Sequence, residues 1–360
     1  MRSGWKSLNW IDVYTMKNFI FGIVTVLISL IAIFVICEIL MRGYQFLRSP
    51  SPSIVIDSEI GWLPGPDLDI LTVVPDASGE YYALRITSDE NGFRMFGDLD
   101  SGDKKKVLFI GDSYTQAMEV SDRYTYFAQL QNDLDIEIFG LGTGGYGTLQ
   151  SYLLLQKWLD LIQPDIVIYQ FCTNDFINNS YALESKSIFN NNGLKRPYLI
   201  DEEIVHKLPK KWPGIRHFAN KYSRFLYYIQ SRIDIINSQY GTDSVEFTIR
   251  DLGRAYPDYN EAIETTQELI RRMRNEVVGA DALFLTFSSD DNQPYYSNYL
   301  QIVSALEGVH LIEGVSASIK EAEELGVTVR AADKAHWNNE GHRIAAEVIK
   351  GYFIENILPD

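Results

Sequence analysis

The sequence predicts a three-layer α/β/α domain, a parallel sheet covered by helices on both faces, held behind an N-terminal transmembrane helix. Residues 19–37 (FIFGIVTVLISLIAIFVIC) contain no charge. From Lys104 onward, short apolar runs of strand length alternate with amphipathic stretches of helical period. Several of these runs end in small and polar residues suited to chemistry: Gly111-Asp-Ser, a glycine-rich turn at 140–147, and Cys172-Thr-Asn-Asp. Short buried strands alternating with helices belong to parallel sheets, and such sheets gather their chemistry at the strands' carboxyl ends.

The first element is the apolar run. About 20 apolar residues in helix cross a bilayer core. Glu38-Ile-Leu-Met-Arg42 follows, with no small-residue cleavage site. An uncleaved anchor over 19–41 is therefore expected, behind an N-terminal segment 1–18. That segment carries Arg2, Lys6 and Lys17 against Asp12, and the far flank carries Arg42 and Arg48. The positive-inside bias, one residue plus the terminal amine, predicts a cytoplasmic N-terminus and an extracytoplasmic domain, periplasmic or cell-surface in a bacterium.

Ser49-Pro-Ser-Pro-Ser reads as an extended tether, and closely spaced Gly, Pro and Asp make 49–103 an arm or small β element. The main domain, 104–360, begins with a strand at Val107–Ile110. A helix at Tyr124–Leu134, a strand at Ile136–Phe139, a helix at Thr148–Ile162 and a strand at Asp165–Gln170 follow. An insertion at 176–256 is too long for a loop and must carry its own structure. The alternation then resumes with a helix at Asn260–Val278, a strand at Ala282–Phe287, a helix near Tyr299–Leu306 and a strand at Val309–Ile312. A closing helix spans about 341–357.

Within the insertion, Ile215, Phe218, Tyr222, Phe225, Ile229, Ile233 and Ile236 share a helical spacing. Residues 206–232 carry seven Lys/Arg (207, 210, 211, 216, 221, 224, 232) and no acid. This is either a solvated amphipathic helix or, with Trp212 and the aromatics, a surface for an anionic polymer or lipid headgroups.

Composition narrows the function. With 32 Lys+Arg against 48 Asp+Glu the net charge is -16, which excludes a chain built chiefly to grip nucleic acid. Hydrophobic residues at 46% and charged residues at 22% mark a globular rather than disordered chain. Two cysteines, Cys37 and Cys172, cannot make a disulfide framework or a four-cysteine zinc site, and no HExxH is present.

Four blocks carry candidate chemistry. After the first strand, Ser113 falls at a helix N-terminus, where free N–H groups can hold an oxyanion, although Asp-Ser is also an ordinary helix cap. Gly140, Gly142 and Gly145 spell GxGxxG. A dinucleotide fold would want an acid ending the next strand, but that strand ends Tyr169-Gln170-Phe171. The alternative role for these glycines is close backbone approach to a reacting oxygen. Asn174 can donate its amide to developing negative charge, or simply close an Asx turn. In Asp333-Lys-Ala-His336 the carboxylate can turn back onto the imidazole and leave its far nitrogen to take a proton; the same residues could be a helix-cap region with an incidental histidine. His342 falls inside the last helix and reads as structural.

Taken in order, GDSYTQAMEV, EIFGLGTGGYGTLQ, CTNDF and DKAHWNNEGH resemble the four blocks of the SGNH/GDSL hydrolase superfamily. The likeness spans about residues 54–354. It includes Asn91-Gly-Phe-Arg94, a feature of membrane-anchored bacterial members. Tyr114 stands where the name motif has Leu, Cys172 where Gly is usual, and Gly140 where Asn is frequent. The resemblance implies a flavodoxin-like parallel sheet and acyl transfer through a serine ester. Ser113 would be nucleophile, His336 base and Asp333 its orienter. The Ser113 N–H, the Gly145 N–H and the Asn174 amide would form the oxyanion hole.

No metal or organic cofactor is expected for that chemistry. The expected partners are the membrane, through the N-terminal helix, and an ester substrate, an acylated (acetylated) extracytoplasmic carbohydrate. O-acyl transfer to a polysaccharide hydroxyl and lipid-ester hydrolysis share the same constellation. A non-catalytic glycan-binding or assembly protein is the alternative of another class.

Overall fold

The computed structural model describes residues 10–48, 53–187, 194–208, 222–240 and 244–358. Helix α1 (Trp10–Arg48) is continuous, and most of its apolar residues between 19 and 47 are exposed, as with Phe21 (72%) and Ile31 (63%). A helix apolar on nearly every side is long and apolar enough to cross a membrane.

The arm that follows is more regular than expected. Strands β1 (Ile54–Asp57) and β2 (Gly61–Pro64) pair antiparallel, as do β3 (Asp69–Pro75) and β4 (Tyr81–Thr87). Alternation is masked here by Gly and Pro, so the sequence pattern alone does not announce these hairpins. Trp62 and Phe93 are fully buried and sew the arm to the body.

The central sheet uses β5 (Met95–Phe96), β6 (Lys105–Gly111), β7 (Ile136–Gly142), β8 (Ile166–Phe171), β11 (Leu283–Ser288) and β12 (His310–Leu311). Its spatial order is β12-β11-β8-β6-β7-β5. All neighbours are parallel except β5, a two-residue edge strand antiparallel to β7 that the sequence did not foretell. Counted from β6, the parallel strands run 2-1-3-4-5, the flavodoxin-like order, so the chain reverses direction of travel beside β6.

Helices α2 (Ser113–Gln116), α3 (Tyr126–Asp133), α4 (Thr148–Ile162), α5 (Asp175–Asn178) and α6 (Tyr181–Glu184) follow strands β6 to β8. Strands β9 (Arg196–Ile200) and β10 (Glu203–Lys207) form a hairpin in the insertion, with α7 (Arg224–Tyr240) and α8 (Val245–Leu252) beyond it. Then come α9 (Pro257–Gly279), α10 (Tyr295–Ala305), α11 (Val315–Glu324) and α12 (Asn339–Asn356). Helix α11 went unpredicted because it is largely polar outside Val315 and Ile319. Of the insertion residues singled out in the sequence, Lys210, Lys211, Trp212, Ile215, Arg216, Phe218 and Lys221 lie outside the described residues.

The pleat sorts the core into two layers. In β6, Leu108 and Ile110 face α4, α9 and α10, through Leu154, Leu155, Leu269, Met273 and Ile302. Val107 and Phe109 face the opposite way, toward Phe127, Leu130, Ile319, Ile349 and Phe353 of α3, α11 and α12. Each such fully buried side chain contributes roughly 1.5–3 kcal/mol. The rigid product is a sheet whose carboxyl edge is fixed on both sides.

Candidate active site

Strand β6 ends at Gly111, and Asp112 turns the chain into α2. The Asp112 carboxylate accepts from the Tyr114 N–H (3.0 Å), and its own N–H donates to Gln170 Oε1 at 3.1 Å. Burial pushes the Asp112 carboxyl up to about 6. Ser113 therefore begins a short helix at the sheet's carboxyl edge, its N–H among the donors that a first turn leaves free.

The glycine block serves close packing. Gly140 and Gly142 lie within β7 rather than in a phosphate-cradling turn. A Cβ on Gly142 would stand 2.7 Å from the Asp112 carbonyl oxygen, so only glycine lets β7 pass the serine turn. Gly145 sits at φ +79°, in left-handed space that side chains disfavour. The turn is clamped: Trp62 Nε1 donates to the Gly144 carbonyl (3.2 Å), and Arg196 Nη2 to the Gly145 carbonyl. The Gly144 N–H is taken by Gln116 Oε1 (2.8 Å), whereas the Gly145 N–H makes no hydrogen bond among the described residues. A Cβ on Gly144 would lie 3.8 Å from Ser113 Cβ, which sets this turn beside the serine.

Asn174 follows β8. Its side chain is exposed, lines the same cavity as Ser113 and has no hydrogen-bond partner among the described residues. Cys172 before it is buried and donates to Asp290 Oδ2 at 3.3 Å, so the sulfur is accommodated at the strand end without displacing Asn174 from the cavity.

The last block folds back as the spacing suggested. Asp333 Oδ1 accepts from the N–H groups of Ala335 (3.0 Å) and His336 (3.1 Å), and Oδ2 meets His336 Nδ1. His336 Nε2 faces Ser113 Oγ at 2.8 Å. Burial raises the Asp333 carboxyl, but its hydrogen bonds from the His336 ring and the Ala335 N–H outweigh that and hold it low. Burial alone would lower His336; the Asp333 bond, with the charges of Glu119, Asp333 and Asp112, instead raises it to about 9.

Tyr114, the odd residue of the first block, donates to the Ala335 carbonyl (3.0 Å) and sets its ring 5.2 Å from that of His336. Its size is used to brace the histidine loop. His342 is buried in α12, accepts from the Tyr126 N–H (3.2 Å) and stacks on the Tyr126 ring, a structural position.

Ser113, Asn174 and His336 open on one cavity of about 890 Å³. Among the described residues, Glu119, Asp333 and His336 form the one group with cation-ligand geometry. Both nitrogens of His336 are already engaged there, by Asp333 and Ser113. The arrangement is thus a hydroxyl against a polarised imidazole, with unpartnered donors alongside.

The model of the GDSL-like Lipase/Acylhydrolase family matches residues 107–349. The chain belongs to this family. It is an ester-hydrolysing enzyme of the SGNH hydrolase fold. Similar solved structures include the psychrotrophic esterase EstA from Pseudoalteromonas sp., 12% identical, covering 71% of this chain and 100% of that one, with a TM-score of 0.41. TesA is 14% identical over 69% and 98% of the two chains, at 0.40. A catalytic mutant of Axe2, an acetylxylan esterase from Geobacillus stearothermophilus, is 13% identical over 72% and 96%, at 0.38. No curated protein matches the chain.

Three residues around this GDSL site escaped the sequence reading. Glu119 approaches His336 Nδ1 to 3.6 Å. It lies inside the first block, GDSYTQAMEV, but nothing in a linear motif tells which way a glutamate six residues past the serine will point. Arg94 closes the Asn91-Gly-Phe-Arg94 motif, whose spelling does not reveal its partners. It is buried, donates to the carbonyls of Gln116, Ala117 and Val120, and pairs with Asp122 at 2.8 Å, so it fixes the loop carrying Glu119. Arg196, from the insertion, pairs with buried Glu184 (3.0 Å) while holding the Gly145 carbonyl.

Proposed function

We propose that the chain is a membrane-tethered serine esterase acting on an acyl, foremost acetyl, ester of an extracytoplasmic carbohydrate. The observation that carries this reading is the 2.8 Å approach of Ser113 Oγ to His336 Nε2, with Asp333 on the other ring nitrogen. His336 takes the Ser113 proton as the oxygen attacks the ester carbonyl. The tetrahedral oxyanion is held by the Ser113 N–H, the Gly145 N–H and the Asn174 amide. His336 then gives its proton to the leaving alcohol, and water resolves the acyl-enzyme through the same base.

The cavity wall favours a polar alcohol over a long acyl chain. Its apolar members among the described residues, Ile177, Ala335 and the rings of Tyr114, Phe247 and Tyr295, are interspersed with Asp290, Asp291, Asn292, Arg250, Lys320 and Arg330. An acyl chain of lipid length would need a continuous apolar channel. The apolar helix at 19–41 serves as anchor in this reading, with the N-terminus cytoplasmic, the arm 49–103 leaving the membrane, and the catalytic domain 104–360 outside.

The test is the intact mass of the full chain after exposure to a fluorophosphonate, with Ser113→Ala alongside. A single adduct on the wild type and none on the variant is expected, followed by turnover of acetylated oligosaccharides above long-chain esters. A folded wild type that takes no adduct would reject the serine mechanism and bring the glycan-binding alternative forward.

A further inference from the structure

The insertion helix α7 is joined to the apolar helix α1 by a specific polar contact. Glu38 follows directly on the uncharged run 19–37. Its carboxylate accepts from the Ser223 hydroxyl (2.8 Å) and from the N–H groups of Arg224 (3.1 Å) and Phe225 (3.0 Å), and Arg42 bonds it from the next turn at 2.6 Å. A carboxylate in the anchor thus supplies the N-terminal cap of α7, satisfying the donors that a helix start leaves free. Arg42 also donates to the Tyr222 carbonyl (2.7 Å).

The level of this joint follows from helix geometry. Residues 19–37 rise about 28 Å at 1.5 Å per residue, close to the thickness of a hydrocarbon core. Phe225 packs edge-on against Phe34, with ring centroids 5.8 Å apart. Phe34 lies three residues inside the uncharged run, so the Phe225 ring reaches about 4–5 Å within that boundary, while α7 itself starts at the level of Glu38. Beyond Phe225, Ile229, Ile233 and Ile236 recur at helical spacing and are 40%, 49% and 54% exposed, an apolar stripe that the other described residues leave largely uncovered. Tyr228 beside it carries the Arg232 guanidinium over its ring at 4.9 Å, an aromatic and a cation suited to headgroup level.

We propose that α7 is a second membrane contact. It lies in the interface of the bilayer that α1 crosses, with Ile229, Ile233 and Ile236 in the acyl-chain boundary and Glu38 as the joint that seats it. The occupant of the stripe is lipid, because the stripe is continuous with the anchor's own apolar surface. The inference rests on α1 being a membrane span, as in the proposed function. Its consequence is positional: α8, which follows α7 after a short connection, lines the active-site cavity with Glu246, Phe247 and Arg250, so that wall stands at a fixed height above the bilayer.

The test uses the full chain with Cys37→Ala and Cys172→Ala, reconstituted in vesicles of phosphatidylcholine with a minority of phosphatidylglycerol. Spin labels are placed one at a time at Ile233→Cys, at Leu30→Cys in α1 and at Lys157→Cys on the exposed side of α4. Collision with dissolved oxygen above that with a nickel chelate is expected at 233 and 30, and the reverse at 157. Nickel access at 233 with lipid exposure retained at 30 would overturn the proposal while sparing the anchor. Nickel access at 30 would overturn both. Shielding of 233 from both reagents, with dipolar broadening between labels, would overturn it in favour of a second copy on the stripe. Glu38→Ala should raise nickel collision at 233 several-fold and leave 30 unchanged; no change at 233 would remove Glu38 as the joint.

Discussion

Glu119 Oε1 stands 3.6 Å from His336 Nδ1, the same ring nitrogen that Asp333 engages. Two carboxylates therefore face one imidazole. Burial works against a charged ring, but the Asp333 bond and the charge of Glu119 prevail and bring His336 to about 9. A general base must be neutral, so kcat/KM should climb with pH through that region and be limited on the acid side by His336. Glu119→Gln removes one charge and keeps the shape. Its acid limb should move about one pH unit lower, with activity at neutral pH raised accordingly. A pH profile of kcat/KM on a soluble aryl acetate measures this; an unmoved limb would show Glu119 electrostatically silent.

The Asn174 side chain makes no hydrogen bond among the described residues and is exposed, so its truncation should cost no stability. Asn174→Ala is expected to lower kcat by about 10²–10³, with KM little altered, as for loss of one oxyanion donor. Steady-state kinetics beside a thermal melt separates the two effects. A tenfold rise in KM at constant kcat would instead assign Asn174 to substrate binding.

Arg196 and Glu184 are both buried, and Arg196 also holds the Gly145 carbonyl. Arg196→Met removes this buried cation from beside the glutamate and should destabilise the fold by about 3–5 kcal/mol. Adding Glu184→Gln should restore much of that stability yet leave activity low, since the Gly145 turn stays unclamped. Urea midpoints and turnover on the single and double variants test both halves.

Burial, with the nearby charges of Arg94 and His336, pushes His342 down to about 3. The folded value lies below the unfolded one, about 6.5, so this stabilising contribution is complete above pH 6.5 and is lost as pH falls toward 3. The loss over that window is on the order of 4 kcal/mol. His342→Gln, which keeps a side-chain acceptor without the titration, should flatten the dependence. Denaturant midpoints at pH 7, 5 and 4 (about one to three pH units below or near the free-histidine value) would reveal equal slopes in both proteins if another group governs acid unfolding.

Short-range information was legible in the chain itself. The apolar run, the strand–helix alternation and the Asp333-to-His336 spacing each depend on neighbours a few residues apart, and periodicity or turn chemistry encodes such relations directly. The serine block was legible for the same reason: a strand, a glycine and a cap residue dictate where Ser113 goes. The GxGxxG string was a case where spelling and role diverged, because Gly140 and Gly142 lie inside β7 and serve its passage beside Asp112.

What the tertiary structure decided are contacts between segments far apart in sequence. The order 2-1-3-4-5 sets β6, β7 and β8 side by side, and with them Ser113, the Gly145 turn and Asn174. The glutamate that approaches His336, the arginine from the insertion that clamps Gly145 and the α1 carboxylate that caps α7 have no linear signature. A charged side chain's partner depends on which buried donors lie without one once the core has closed. That is a property of the packed whole, and no window of sequence contains it.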